Sequence, residues 1–182
     1  MITASLKKKE NIAEYLLYMW QIEDLIRANN LDIDKIQTSI IDQYKDLTEQ
    51  QKKDLREWYE SLIDMMRRED VAKSGHLQIN KNVLISLDDL HRKLLGNNKF
   101  SAYSAQYYHT LPIIVELRAK AGENKADEIE TCFNALYGIL LLRLQGKEIS
   151  KETQEAAAQI SKFLALLSLY YKQDFNNELD LD

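Results

Sequence analysis

The chain has 182 residues, 45% of them hydrophobic and 29% charged, with 24 Lys+Arg against 29 Asp+Glu and an isoelectric point near 5.3. A chain of this length buries roughly 70% of its unfolded surface, enough for a core without disulfide or metal staples. The balance excludes the low-hydrophobicity signature of disorder and the concentrated basic footprint of a nucleic-acid binder. Five glycines and one proline are too few for the frequent turns of an all-β fold.

The first predicted helix covers residues 6–29. Lys7, Lys8 and Lys9 form a basic run too short to track a phosphate backbone. Glu10, Asn11 and Glu14 break up the apolar residues after it, so the start does not read as a secretory signal. The stretch YLLYMWQIEDLIR then places Glu23, Asp24 and Arg27 where an apolar pattern would continue. Ile12, Leu16, Met19 and Glu23 recur at i, i+4, i+7 and i+11, while Tyr15, Tyr18, Ile22, Leu25 and Ile26 make a second apolar face. Glu23 and Arg27 therefore lie on a buried side, within reach of each other at i, i+4. A charge in that position is paired, snorkels at the helix end or lines a wet cavity.

Residues 33–44 and 49–69 form the next two segments, with Asp32 as N-cap and a Thr48-x-x-Gln51 capping box. Trp58 shares a stripe with Leu55, Leu62, Met65 and Met66. In segment 78–95, Asp88-x-x-His91 resembles half of a di-iron motif without the second copy or the further glutamates such a site needs. His91 there borders the stripe Val83, Leu87, Leu90, Leu94. The spacings of His76, His91 and His109 do not force them onto one zinc ion. In segment 100–121, Tyr103, Tyr107, Leu111, Ile114 and Arg118 share a face if the helix runs straight through Pro112.

Segment 126–145 carries the lone Cys132 on a stripe with Ile129, Phe133 and Leu136, where it acts as a small inert hydrophobe. ALYGILLL, residues 135–142, is the longest apolar run and falls far short of the ~20 residues that span a bilayer. Gly138 inside it suggests close approach of a neighbouring helix. The last segment, 151–173, begins after a Ser150 cap and includes FLALLSLYY. Gly75, Gly96, Gly122 and Gly146 fall where periodicity lapses and read as helix ends. The expected fold is all-α, an antiparallel up-and-down bundle of about six or seven helices. It forms one domain over 1–182 with short disordered ends at about 1–5 and 175–182.

NIAEYLLYMWQIEDLIRA, WYESLIDMMRRE, GHLQINKNV and IETCFNALYGILLLRLQ together resemble an uncharacterised domain-of-unknown-function family of Bacteroidetes proteins, over nearly the whole chain. The resemblance implies a small intracellular bacterial helical protein and brings no activity or site with it.

No glycine-rich phosphate loop, nucleophile elbow or dinucleotide fingerprint occurs, so no catalytic residue, metal or cofactor is assigned. The leading expectation is a cytoplasmic, non-enzymatic bundle that forms a homodimer or binds a protein partner through the apolar faces of its first, sixth or last helix. It binds neither nucleic acid nor membrane. The alternative is a small-molecule-binding protein or enzyme whose core pocket uses Glu23, Arg27, Tyr103, Tyr107 and Arg118, suited to an anionic or planar ligand.

Overall fold

The computed structural model describes residues 2–122 and 126–181. They form eight α-helices: α1 (Ile2–Glu10), α2 (Ile12–Ala28), α3 (Ile33–Ser39), α4 (Glu49–Arg68), α5 (Gln78–Leu95), α6 (Ser101–Lys120), α7 (Glu128–Leu144) and α8 (Lys151–Phe175). Short 3-10 turns lie at Ile41–Gln43 and Asn98–Phe100, and no strand occurs among the described residues. The protein is all-α, built by packing helix on helix.

Two differences from the sequence reading arise at the start of the chain. The first segment divides at Asn11, whose Oδ1 accepts the Ala13 N–H at 3.0 Å and so opens α2 with its own cap. Residues 2–5, expected to be disordered, belong to α1. Met1 and Asp182 lie outside the described residues.

The chain forms two compact units, Met1–Lys8 with Glu14–Asn82 and Lys9–Ala13 with Val83–Asp182. In the first, α2 buries Tyr15, Leu16, Met19, Trp20, Ile22 and Ile26. On α4, Tyr59, Leu62, Ile63 and Met66 are buried at i, i+3, i+4 and i+7, with Trp58 and Met65 half-buried beside them. Asp32 caps α3, its Oδ1 accepting from the Asp34 and Lys35 N–H groups at 3.0 and 3.2 Å. The capping box of Thr48 and Gln51 opens α4. The left-handed residue after α4 is Asp70, at φ 56°, and the Val71 N–H closes back on the Met66 carbonyl at 3.0 Å. Gly75 instead takes its φ of +86° in the loop ahead of α5.

In the second unit α6, α7 and α8 pack against one another. Helix α6 runs unbroken through Pro112. Pro112 is exposed, and the carbonyl it leaves without a donor belongs to Tyr108, which is exposed too. The buried phase therefore survives as Tyr103, Tyr107, Thr110 and Ile114, with Thr110 in the inner place expected of Leu111 and its Oγ1–H donating to the Gln106 carbonyl at 2.9 Å. Ser150 caps α8, which buries Ile160, Phe163, Leu164 and Leu167. The acidic tail is tied back by Lys99 Nζ to Asp180 at 2.9 Å and by Asn97 Nδ2–H to the Leu181 carbonyl at 3.3 Å. Among the described residues no helix is long and apolar enough to cross a membrane.

Candidate functional site

Each unit carries one buried polar cluster. In the first, α2 delivers Glu23, fully buried, to the start of α5. Its Oε1 accepts the Leu77 N–H at 2.9 Å and the Asn80 side-chain N–H at 2.7 Å, while Oε2 lies 2.6 Å from His76 Nδ1. The Leu77 carbonyl accepts the Asn80 and Lys81 N–H groups, so Glu23 meets the first free donor of α5, where an acidic group also complements the helix dipole. Glu69 does the same one residue later, accepting the Gln78 N–H at 2.6 Å. The His76 ring stacks on Trp20 with centroids 4.1 Å apart and planes 13° from parallel.

One turn after Glu23, Arg27 holds the loop that leads to His76. Its guanidinium donates to Asp24 at 2.8 Å, to the Val71 carbonyl at 3.1 Å and to the Gly75 carbonyl. Its Nε is buried without a hydrogen-bond partner, as is Asn80 Oδ1. A carboxyl group on Nδ1 orients an imidazole and leaves Nε2 to act as base or ligand. His76 Nε2 makes no hydrogen bond among the described residues, and the side chain is 23% exposed. The arrangement is a side-chain cap on the first turn of α5, with an imidazole held in place beside it.

In the second unit the cluster centres on His91 and Glu128. His91 is buried, its Nδ1 2.6 Å from the Tyr103 hydroxyl and its ring edge-on to Tyr103, Tyr107 and Phe163. Burial holds the imidazole below its ordinary pKa, against the pull of Glu128. The Tyr107 hydroxyl donates to Glu128 Oε2 at 2.7 Å, and Arg118 Nη1 stands 3.8 Å from Glu128 Oε1. Burial raises both phenols, and for Tyr107 the hydrogen bond to Glu128 adds to it. Cys132 is buried as well, and burial pushes its thiol up to about 12, the state of an unreactive core cysteine.

Of the five residues the sequence nominated, Glu23 and Arg27 lie in the first unit and Tyr103, Tyr107 and Arg118 in the second. Glu23 and Arg27 do not pair with each other. Glu23 is sealed among the donors of His76, Leu77 and Asn80, and Arg27 reaches the carbonyls of the loop instead. Tyr107 and Arg118 do converge, on Glu128, while Tyr103 joins through His91. Sequence reasoning missed Asn80 and Glu128. Glu128 comes directly after Asp127 at a helix start, where an acidic residue has a sufficient local reason to stand. Asn80 sits in the first turn of α5, and no periodicity marks it. Asp88 pairs with Arg92 rather than with His91, and His109 is exposed. Among the described residues no group of three or more His, Cys, Asp or Glu side chains is placed to hold a metal.

The family model described as a domain of unknown function (DUF4924) matches residues 1–178, and the chain belongs to that family. No curated protein and no solved structure matches the chain.

Proposed function

We propose that this member of the DUF4924 family is a non-enzymatic helical protein that forms a homodimer through the second half of α7. One observation carries the reading: residues 135–142, ALYGILLL, are all apolar or glycine, and every one of them remains partly exposed. The buried residues of α7, Ile129, Thr131, Cys132 and Phe133, end before that run begins. A surface helix of a monomer normally keeps a polar side. Gly138 lies opposite Ile129 on a helix wheel, and a Cβ built there meets nothing within 4 Å. The close neighbour expected from the sequence is thus missing among the described residues, and a second copy of α7 crossing at Gly138 supplies it. Leu144, 70% exposed, extends the same surface toward the helix end. The single buried Cys132 suits a reducing, cytoplasmic setting.

The test uses the glycine. In a monomer Gly138→Ala only improves the helix, raising stability by up to ~1 kcal/mol. In a dimer crossing at Gly138 it weakens association, and Leu142→Glu abolishes it. Sedimentation equilibrium on the full chain reads both, and a wild-type chain that stays monomeric at micromolar concentration ends the proposal.

A second reading keeps the ligand site in the second unit. It rests on Arg118, whose Nε is buried without a partner and whose contact to Glu128 is a loose 3.8 Å. An anionic group would take Arg118 from Glu128. In a native mass spectrum this reading expects a retained excess mass that Arg118→Met removes.

A further inference from the structure

The first unit contains a half-open cavity of about 180 Å³ between α1, α2, α4 and the first turn of α5. Its walls are apolar: Tyr15 and Met19 from α2, Trp58 and Met65 from α4. Its polar lining residues include Ser5 and Lys8 of α1 and Ser61 of α4. We propose that this cavity binds a small aryl or alkyl carboxylate, with its hydrocarbon body against the methionine and aromatic walls and its carboxylate at Lys8.

Three observations carry the assignment. The first is size, since an apolar cavity of ~150 Å³ accommodates a benzene ring, and this one has room for a single ring with a short chain. The second is charge. In a chain with 29 acidic residues against 24 basic ones, no carboxylate among the described residues lines the cavity. Lys7 is occupied by Glu14 at 2.8 Å, but Lys8 has no ion pair among the described residues and stands 5.5 Å above the Tyr15 ring. An unpaired ammonium beside an apolar wall selects an anion with an apolar body, because the wall takes up the hydrocarbon and the cation stays at the wet rim. The third is the wall itself. Trp58 and Met65 lie half-buried beside the α4 core stripe rather than within it, and methionine adapts to an irregular occupant. This site shares no residue with the α7 surface, so each proposal fails independently of the other.

The experiment titrates 3-phenylpropionate and its neutral amide into the full chain labelled at the methionine methyl groups. Saturable shifts of the Met19 and Met65 methyls are expected, with a dissociation constant below about 1 mM for the acid and about tenfold weaker binding of the amide. Lys8→Met erases the difference between acid and amide, whereas Lys9→Met, off the lining, keeps it. Ser61→Phe fills the mouth from an exposed position and removes both binding events at little cost to folding. Absence of saturation by either compound up to about 10 mM overturns the proposal, given how weak such affinity would be. So does an acid preference that survives Lys8→Met. Methionine shifts that depend on protein concentration without added compound, and vanish in Ser61→Phe, would assign the groove to a second copy of the chain and overturn it as well.

Discussion

The two polar clusters pair a histidine with a glutamate and invert which of them is sealed. In the first unit the Glu23 side chain is 0% exposed and His76 sits at the rim; in the second the His91 side chain is 5% exposed and Glu128 is 29% exposed. The inversion decides how many hydrogen bonds each acid makes. A fully buried carboxyl group loses all its water and must be satisfied by protein donors, and Glu23 has two N–H donors and the His76 ring nitrogen. Glu128, partly open to solvent, has one hydrogen bond among the described residues, from the Tyr107 hydroxyl, with Arg118 Nη1 at 3.8 Å and His91 Nε2 at 4.0 Å. Burial, rather than residue type, sets the bonding around each acid.

The largest expected effect tests that difference directly. Glu23→Ala leaves the Leu77 N–H and the Asn80 amide without their acceptor and His76 Nδ1 without its partner, and should cost about 3 kcal/mol or more in urea denaturation. Glu128→Ala removes one hydrogen bond from a partly solvated acid and should cost about 1 kcal/mol. Equal losses would break the comparison. Glu23→Gln falls between, since its carbonyl oxygen still accepts while its amide opposes another donor.

The sealed histidine predicts a pH effect of definite sign. His91 has its pKa lowered by burial, so the unfolded chain takes up a proton that the folded one refuses. Its contribution to stability is complete above the unfolded value of about 6.5, is lost progressively as pH falls below it, and levels off below the lowered folded pKa. Carboxylates also titrate toward the acid end, so the quantity to measure is the difference between wild type and His91→Gln in urea midpoint from pH 7 to pH 5. Wild type should lose more stability over that range, and parallel curves would show that His91 charges as readily folded as unfolded.

What the sequence disclosed was what its neighbours enforce. Asp32, Thr48 with Gln51, and Ser150 are caps whose partners lie within three residues, and all of them form. The phase of α6 was legible only if the helix ran straight through Pro112, and it does so because the carbonyl left without a donor, that of Tyr108, is exposed, although Thr110 rather than Leu111 takes the buried place. The break at Asn11 was hidden, since apolar residues continue at helical spacing on both sides of it. Asp70 in the left-handed region was hidden too, because the nearest glycine, Gly75, drew the assignment. The partners of Glu23 could not be read at all. His76, Leu77 and Asn80 lie more than fifty residues away, and only packing decides which loop closes over a buried acid. On α6 the reading fared better. Tyr103, Tyr107 and Arg118 were grouped by periodicity alone and do gather in one cluster, although their common acid came from another helix.

The smallest effect sharpens the comparison at a single atom. Tyr107→Phe deletes the hydroxyl that donates to Glu128 and keeps the ring beside His91 and Phe163. If Glu128 replaces that donor with water, the loss stays near 1 kcal/mol, the net value of one hydrogen bond. The urea slope should not change, because the buried apolar area is the same. A loss close to that of Glu23→Ala would mean that Glu128 depends on protein donors as fully as the sealed acid does. The same variant bears on the second ligand reading. Without Tyr107 to hold it, Glu128 is freer to close on Arg118, so an anion competing for that guanidinium should bind more weakly to Tyr107→Phe than to wild type.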